Sequence, residues 1–436
     1  MENKEKKSAY YEVYTKAFKD SNGDGIGDIK GLRSKLSMIN QIGFNYLLIR
    51  DLFNENSKDF KNINKYLGQP SDIKDLCKKA KEFRMKIILD FDSKTLYKNL
   101  DNFLDNFTDI IKYWKDMGIK GIRLTGADFL FEKGLKKDLK KIEETCKKEE
   151  LIFILGLKNQ DLGKGVSDFV YIEDINAYIK RNQYQKLYEY LDKLQKDMEN
   201  EGINYGVNFT NLSYPRLVDK ILDEDEESVS LIKAFYIMLF SLKTIPFVFQ
   251  GEEIQAKSEY NINIDEINDD DIKRTYKDLK NEGLSEDDAV RKIKKTTNFS
   301  TKTPLRWDES SLGGFSENKN YYGILVNKNN SFKQELKDID SFLYYLNDLI
   351  MKRKINSAYG LGDYEKISID ESAYIYKRSY KDDEYIVLVN LSDDFYLVDE
   401  DIAQIIEGGE VLINNKRDFE PEVLDIYQAL VIKLKR

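Results

Sequence analysis

Short apolar runs rich in β-branched and aromatic residues recur over roughly the first 250 positions of the chain. In order they are AYYEVYTKAF, FNYLLIRDLF, KIILDF, GIRLTG, LIFILGL, DFVYI, NYGVNFT and IPFVFQG. Most intervening stretches, such as DIKDLCKKAKEFRM, place apolar residues at i, i+3 and i+4, the spacing of an amphipathic helix. Eight strands alternating with helices predict an α/β fold, a (β/α)8 TIM barrel. A doubly wound open sheet is the alternative, but no glycine fingerprint follows the first run.

The pattern changes in the last third of the chain. A charged stretch at 261–297 predicts solvent-facing helices, and SFLYYLNDLIMKRKINS predicts a closing helix. From about Tyr359, the short runs SAYIYKRSY, EYIVLVNL, GGEVLINN and QALVIKLKR predict a small C-terminal antiparallel β-domain. We therefore expect a barrel domain over 1–358 and a β-sandwich-like domain over 359–436.

Charge and composition exclude several classes of protein. The 69 basic and 78 acidic residues are interspersed and give a net charge of −9, which does not favour a nucleic-acid partner. No apolar run reaches the roughly 18 residues that a transmembrane helix needs. The charged opening MENKEKKSAYY argues against a signal peptide, and Cys77 and Cys146 lack metal-site spacing, so we expect a cytoplasmic protein with reduced thiols.

The chain contains no histidine. This excludes Ser-His-Asp and Cys-His catalysis, histidine-ligated zinc or iron, and pH switching by imidazole. Chemistry in this protein therefore depends on carboxylates, lysine, tyrosine, hydroxyl groups or a metal ion bound by oxygen.

The stretch DSNGDGIGD alternates oxygen-bearing side chains with small residues directly after the first predicted strand. Such oxygens can converge on one hard cation, and the spacing predicts a structural Ca²⁺ (or Mg²⁺) site with no organic cofactor. An EF-hand is excluded, because Gly31 occupies the position of its bidentate glutamate. A loop without an ion is the alternative. The predicted ligands are Asp20, Asn22, Asp24, Ile26 and Asp28.

The working face of a TIM barrel is formed by the carboxyl ends of its strands. Polar and charged residues stand at several of these ends, namely Arg50, Asp51, Asp90, Asp92, Arg123, Thr125, Asp128, Lys158, Asp161, Asn211, Ser213, Gln250, Glu252 and Glu253. These residues are the candidates for any catalytic or binding site.

Three longer motifs now suggest a family. YYEVYTKAFKDSNGDGIGDIKGL resembles the first barrel unit of the α-amylase clan of glycoside hydrolases, most closely its oligo-1,6-glucosidase and α-glucosidase branch. IPFVFQGEEI is similar to the eighth strand of that group, and TKTPLRWDESSLGGFS to the segment before its last barrel helix. The resemblance implies retaining glycoside hydrolysis, which requires a carboxylate nucleophile and a carboxylic acid about 5–5.5 Å apart.

The resemblance also implies which positions of this chain correspond to the family's catalytic residues. Thr125 stands at the nucleophile position, Leu157 at that of the proton donor and Ser213 at that of the stabilising aspartate. A hydroxyl or a hydrocarbon side chain cannot perform these roles. The family's inserted domain after the third strand is essentially absent, since DFDSKTLYKNLDNFLDNF leads almost directly into the next helix. Vestigial cleft residues are expected at Asn62, Asp90, Arg123 and Asn211.

These replacements favour the hypothesis of a pseudoenzyme without glycosidase activity, retained as a binding, scaffold or regulatory protein. One alternative is a glycoside hydrolase or transglycosidase that acts on α-glucosides through relocated carboxylates, with Asp128 and Asp161 as candidates. A second alternative is a non-catalytic carbohydrate-binding protein. The expected partner is another protein under the first hypothesis and an α-glucan or oligosaccharide under the alternatives.

Overall fold

The computed structural model describes residues 1–222, 229–257, 264, 267, 269–318 and 330–435. Eight parallel strands form a closed barrel in the order of the chain. The strands are β1 (Tyr10–Tyr14), β2 (Tyr46–Arg50), β3 (Lys86–Asp92), β4 (Gly121–Thr125), β5 (Ile152–Leu157), β6 (Phe169–Ile172), β7 (Asn204–Val207) and β8 (Ile245–Phe249). The predicted TIM barrel and all eight of its strands are confirmed.

Helices follow the strands because the intervening sequence has one apolar face and clear end signals. Helix α2 (Ile29–Ile42), for example, begins after Asp28, whose side chain accepts the N–H of Gly31. The helix is followed by Gly43, which has the left-handed conformation. The remaining helices of the barrel part are α1 (Asn3–Lys6), α3 (Pro70–Glu82), α4 (Ser93–Asn99), α5 (Phe103–Asp116), α6 (Asp128–Glu132), α7 (Lys136–Lys148), α8 (Gln185–Glu201), α9 (Leu217–Ile221), α10 (Val229–Ser241), α11 (Asp270–Asn281), α12 (Glu286–Thr296), α13 (Phe332–Glu335), α14 (Phe342–Ile355) and α15 (Ser357–Leu361); α2 spans Ile29–Ile42.

The barrel interior is built in layers along the strand direction. Near the amino ends of the strands, aromatic rings fill the cross-section; we call Tyr10, Tyr46, Phe169 and Phe247 the aromatic floor. Tyr10 stacks on Tyr46 and on Phe247, with ring centroids 4.4 and 4.7 Å apart. These four side chains are at most 1% exposed, so the amino end of the barrel is closed by packed rings.

Strand β3 connects almost directly to the helical layer. It ends at Asp92, whose side chain accepts the N–H of Thr95 and thereby caps α4. Only α4 and α5 then separate β3 from β4. The carboxyl end of β3 is therefore flanked by a seven-residue helix.

The four predicted C-terminal strands are confirmed. They correspond to β10 (Ala373–Tyr380), β11 (Asp383–Asn390), β13 (Glu410–Asn414) and β15 (Ala429–Lys433), which with β9 (Asp363–Ile369) form an antiparallel sheet in the order β13-β15-β11-β10-β9. The sequence pattern did not predict β9, the pair β12 (Tyr396–Leu397) and β14 (Val423–Leu424), or helix α16 (Glu400–Ile406). The domain boundary expected after residue 358 falls within α15 and stays a prediction.

The charged stretch before the closing helix is helical, as predicted, but it does not simply face solvent. Helices α11 and α12 bury Ile272, Leu279 and Ile293 in an apolar cluster with Phe299 and Phe315. Both helices have an apolar stripe along one face. The high content of charged residues in this stretch therefore did not mean that the whole helix surface faces solvent. Residues 258–263, 265, 266 and 268 lie outside the described part. Within the described residues, no helix combines the length and apolar character that a membrane crossing requires.

Candidate active site

A pocket of about 850 Å³ opens at the carboxyl ends of the barrel strands. This is the face on which TIM barrels carry their active sites. The charged side chains that line it are Lys16, Arg50, Asp51, Glu55, Asp90, Asp92, Lys94, Lys98, Asp269 and Lys302. Aromatic lining comes from Tyr14, Phe53, Phe60 and Phe299. Charged side chains thus outnumber aromatic rings in the pocket lining.

Four charged side chains contact one another at the base of the pocket; we call Glu12, Arg50, Asp90 and Arg123 the charged layer. Arg50 and Asp90 line the pocket, and Glu12 and Arg123 are fully buried behind them. Glu12 Oε1 accepts Nη1 of Arg50 at 2.8 Å and Nη2 of Arg123 at 3.2 Å. Asp90 Oδ1 accepts Nε of Arg123 at 2.6 Å, and its Oδ2 lies 3.4 Å from Nε of Arg50. Each side chain is at most 8% exposed. Two carboxylates therefore balance two guanidinium groups within the barrel.

Thr125 connects the charged layer to the open pocket. It ends β4 and its hydroxyl donates a hydrogen bond to Asp90 Oδ1. Asp92 is its neighbour across the β3–β4 pair and also lines the pocket. Asp92 Oδ1 accepts the N–H and the hydroxyl of Thr95, and its Oδ2 has no hydrogen bond within the described chain. Asp90 and Asp92 thus place two carboxyl groups beside Thr125.

The environment of Asp90 favours its ionised form. Burial alone would raise the pKa of Asp90, but the guanidinium groups of Arg123 and Arg50 and the hydroxyl of Thr125 outweigh burial and lower it. Asp90 therefore carries a negative charge at neutral pH, at the base of the pocket.

The pKa of Glu173 is shifted in the opposite direction from that of Asp90. It directly follows β6, and its Oε1 accepts the N–H of Gly126 at 2.8 Å, next to Thr125 in the chain. Burial raises the pKa of Glu173 to about 7, although the same hydrogen bond and the positive charges of Arg123 and Arg50 act against the rise. One carboxyl group near Thr125 is thus ionised at neutral pH, and a second is only about half ionised there.

Of the remaining predicted cleft residues, Asn211 lies near this group and Asn62 does not. Asn211 is buried and its Nδ2 donates to the backbone oxygen of Glu173 at 3.0 Å. Asn62 is exposed and donates to Asp59 at 3.1 Å, away from the pocket lining. The expectation that Asn62 lies in the cleft is therefore not met, because the residue is outside the pocket lining.

Leu157 and Ser213 also differ in position from the catalytic residues they were aligned with. Side chains alternate along β5, and Leu157 shares the outer apolar core with Leu155, whereas Ile154 lies in the barrel interior. Ser213 is exposed, and the neighbouring Leu212 lines the pocket in its place. Among the three aligned positions, Thr125 is the one that the pocket includes.

Asp128 and Asp161 were the candidates for relocated catalytic carboxylates, and the structure places both outside the pocket lining. Asp128 accepts the backbone N–H groups of Lys158 and Asn159 at 2.9 and 3.0 Å, so both of its oxygens stabilise the loop after β5. Asp161 is exposed and pairs with Lys164 at 2.9 Å. The carboxylates of the site come instead from β3 and from the end of β6.

The predicted calcium loop is held together by its own N–H groups. Asp20 Oδ1 accepts the N–H of Asn22 and Gly23, and Oδ2 accepts the N–H of Gly25 and the hydroxyl of Ser316. Asp24 accepts the N–H of Ile26, and Asp28 caps α2. Within the described ranges, no three acidic or cysteine side chains converge as metal ligands. The carboxylates of the loop thus accept hydrogen bonds from its own N–H groups, and the calcium site, whose predicted ligands also include Asn22 and Ile26, stays a prediction.

If the loop binds calcium, excess CaCl₂ is expected to raise the melting temperature of the protein above its value in excess EDTA, because an ion bound only by the folded loop stabilises the folded state. Differential scanning calorimetry of the same preparation in both buffers checks this expectation. Equal melting temperatures in the two buffers, or a rise that persists in Asp24→Asn, would contradict the predicted metal site at Asp20, Asn22, Asp24, Ile26 and Asp28.

Glu12 and Glu173 were missed by the sequence analysis, although each carries a local signal. Glu12 is a charged residue in the middle of an apolar strand, which is expensive unless the charge is paired. Glu173 is the first residue after β6, the same kind of position that singled out Asp51 after β2. A stricter survey of every strand end would have included Glu173.

Comparison with known proteins now adds independent information. The family model described as Alpha amylase, catalytic domain, matches residues 12–94 and 159–361, more than half of the chain. The unmatched range between them contains Thr125, Asp128 and Leu157, so the roles inferred for these residues stay predictions.

Two curated relatives match almost the whole chain. The glucan 1,6-alpha-glucosidase of Streptococcus pneumoniae is 24% identical over 97% of this chain and 98% of its own length. The oligo-1,6-glucosidase of Bacillus cereus is 22% identical over 99% of both. Among solved structures, trehalose-6-phosphate hydrolase of Bacillus licheniformis shares the fold with a TM-score of 0.86 at 20% identity, covering 99% of both chains.

These comparisons correct the functional hypothesis. Relatives that align from end to end are named for glucosidase activity, which contradicts the expectation of a pseudoenzyme kept as a binding, scaffold or regulatory protein. The expectation that the protein is not an enzyme is wrong for the same reason. The replacements at Thr125, Leu157 and Ser213 were given more weight than the alternative of a glycosidase or transglycosidase, which the comparisons favour.

Proposed function

Because the chain belongs to the α-amylase catalytic-domain family, we propose that it is a glycoside hydrolase or transglycosidase that acts on α-glucosides. Its substrate would be an α-glucan or a smaller oligosaccharide, the class for which its curated relatives are named. The observation that carries the proposal is the pocket at the barrel mouth, where Asp90 and Asp92 of β3 lie beside Thr125 of the neighbouring strand β4.

The reaction requires negative charge near the anomeric carbon. Cleavage of a glycosidic bond passes through a transition state that resembles an oxocarbenium ion, and a fixed carboxylate stabilises its positive charge. Asp90 offers such a charge, since Arg123 and Arg50 keep it ionised at the base of the pocket. The charged layer also holds Asp90 in place before substrate binds, as preorganised electrostatic stabilisation requires.

Asp92 is the better candidate for direct attack or for activation of water. Both oxygens of Asp90 face arginine side chains, which reduces its nucleophilicity. Asp92 Oδ2 has no hydrogen bond in the described structure, and the side chain lines the pocket. Thr125 is the register partner of Asp92 and contributes its hydroxyl as a donor to Asp90. The carboxylate pair of the β3 strand would then substitute for a carboxylate at Thr125.

Purified protein is expected to release glucose from aryl α-glucosides and isomaltose, and Asp92→Asn is expected to lower kcat by about 100-fold or more. Asparagine keeps an oxygen that accepts the N–H of Thr95, so the cap of α4 survives the change. Initial rates for wild type and variant, measured with a chromogenic aryl α-glucoside, check this prediction.

Asp161→Asn is the matched control, since Asp161 is an exposed carboxylate after β5 that pairs with Lys164. Its activity should equal that of the wild type. Binding of isomaltose by calorimetry without turnover would contradict the proposal and indicate a carbohydrate-binding protein. Equal loss of activity in Asp92→Asn and Asp161→Asn would contradict the role of Asp92.

A further inference from the structure

No residue at the end of β5 has a side chain that could protonate the leaving group. Leu157 follows Gly156 there and packs into the outer apolar core. Glycosidic bonds to ordinary sugars break slowly without a proton donor, because the leaving alkoxide is very basic. A glycosidase built on this barrel therefore needs a protonated group that reaches the β4–β5 side of the pocket from elsewhere.

Glu173 is not among the residues that line the pocket, but its carboxyl group approaches from the next strand and lies beside Gly156 and Gly126, next to the lining residue Thr125. A Cβ atom on Gly156 would lie 2.3 Å from Glu173 Oε1, so the carboxyl group occupies the space that a side chain on β5 would fill. Gly156 of β5 and Tyr171 of β6 are register partners. Glu173 comes two residues after Tyr171, directly after the end of β6. The missing side chain of Gly156 thus gives the strand-6 carboxyl group access to the neighbourhood of Thr125.

The carboxyl group is held in one orientation. Oε1 accepts the N–H of Gly126 at 2.8 Å. The backbone of Glu173 is fixed on both sides, because its N–H donates to the oxygen of Leu157 at 2.9 Å and its own oxygen accepts Nδ2 of Asn211 at 3.0 Å. Oε2 makes no hydrogen bond within the described residues, and the whole side chain is only 9% exposed. One oxygen is anchored and the other is free to carry a proton.

We propose that Glu173 is the general acid of this site and donates the Oε2 proton to the glycosidic oxygen of the substrate. The inference rests on the proposed function. As the proton transfers, the C1–O bond breaks and its electron pair remains on the leaving oxygen, while Asp90 and Asp92 face the positive anomeric centre. Water or a sugar hydroxyl then adds to C1, and its proton returns to the Glu173 carboxylate, which restores the acid.

The charges around Glu173 agree with this role. Arg123 and Arg50 on β4 and β2 favour its ionised form, whereas Asp90 on β3 favours the neutral form, and burial dominates. The pKa of Glu173 is raised to about 7 while that of Asp90 is lowered. Two carboxyl groups whose pKa values are pushed apart are the usual sign of an acid and an anionic partner.

Glu173→Gln provides the test, because its amide oxygen can still accept the N–H of Gly126. The measured quantity is kcat/KM for phenyl α-glucoside, which needs an acid, and for 2,4-dinitrophenyl α-glucoside, which does not. We expect the variant to lose about 100-fold or more on the phenyl substrate and less than about 10-fold on the dinitrophenyl substrate. The wild-type decline in kcat/KM above about pH 7 should disappear in the variant.

Glu143→Gln is the matched control. Glu143 is also a buried carboxyl group with a raised pKa, caused mainly by burial, but it lies on α7 and pairs with Lys147 outside the pocket. This variant should keep the wild-type ratio between the two substrates. Addition of azide should restore turnover of the dinitrophenyl substrate by Glu173→Gln, which shows that the variant is folded and that its site is intact.

The outcomes separate the two proposals. An equal loss on both substrates, or no loss on either, would overturn the role of Glu173 while leaving the glycosidase function in place. Failure of the wild type to cleave even the dinitrophenyl substrate would overturn the proposed function and, with it, the assignment of the acid.

Discussion

Replacement of Glu12 by alanine is expected to destabilise the protein by about 3–5 kcal/mol, because it leaves buried charges without a counter-charge. Glu12 is fully buried and accepts hydrogen bonds from Arg50 and Arg123 through Oε1. Its Oε2 accepts the hydroxyl of Tyr171 at 3.2 Å and Nδ2 of Asn208 at 3.4 Å. After the substitution, Asp90 alone faces two guanidinium groups. Urea denaturation followed by circular dichroism measures the change in free energy of unfolding.

Glu365→Ala is the control for Glu12→Ala. Glu365 pairs with Lys377 at 2.8 Å, but its side chain is 63% exposed, and exposed pairs contribute little to stability. We expect no measurable change in this variant. The combined variant Glu12→Ala and Arg50→Met should be less destabilised than the sum of the two single variants, since each removes a partner of the other. Additive losses would contradict the coupling within the charged layer.

The stability of the protein is expected to fall between pH 4.5 and 8 because of two adjacent buried carboxyl groups, Glu252 and Glu253. Burial raises the pKa of each from 4.5 to about 7. In this range the folded state binds more protons than the unfolded state, so the free energy of unfolding decreases as pH rises. The stabilisation is complete below pH 4.5 and is lost as pH passes through 7. The loss amounts to about 3 kcal/mol for each group.

The double variant Glu252→Gln and Glu253→Gln should remove most of this pH dependence. Neutral amides keep hydrogen-bonding partners for Thr210 and Tyr11, which donate to Glu252 and Glu253 in the wild type. Urea denaturation at a series of pH values compares the slopes, and the exposed Glu365→Gln variant should retain the wild-type slope. If the double variant showed the same slope as the wild type, the two carboxyl groups would have to ionise freely in the folded protein.

Much of the fold could be predicted because its signals are local. Strands buried on both faces produce short apolar runs such as KIILDF and IPFVFQG, and the amphipathic helices between them have a different period. Glu12 shows where this approach fails. Its partners Arg50 and Arg123 are 38 and 111 residues away along the chain. The local pattern therefore shows a charged residue in an apolar strand but does not show which residues neutralise its charge. The strands β12 and β14, which pair with each other, were missed because two-residue strands have no measurable period.

The site was harder to predict because the direction of each side chain determines whether a residue near a strand end belongs to the pocket. Asp128 and Asp161 follow strands closely, yet one stabilises a loop and the other pairs with surface lysines. Asp90 and Asp92 were among the candidates because they stand at the carboxyl end of β3. They are two residues apart, so their side chains lie on the same face of the strand. Glu173 enters the site through the gap left by Gly156 in a neighbouring strand. That gap is a property of the folded barrel and not of either segment.

The aromatic floor has a consequence for how a long substrate would be handled. Packed rings of Tyr10, Tyr46, Phe169 and Phe247 close the barrel axis below the charged layer, so the pocket is a well rather than a tunnel. A glucan chain cannot be threaded through such a barrel. A chain terminus can enter it, and whatever is cut from that terminus has to depart through the mouth by which it arrived.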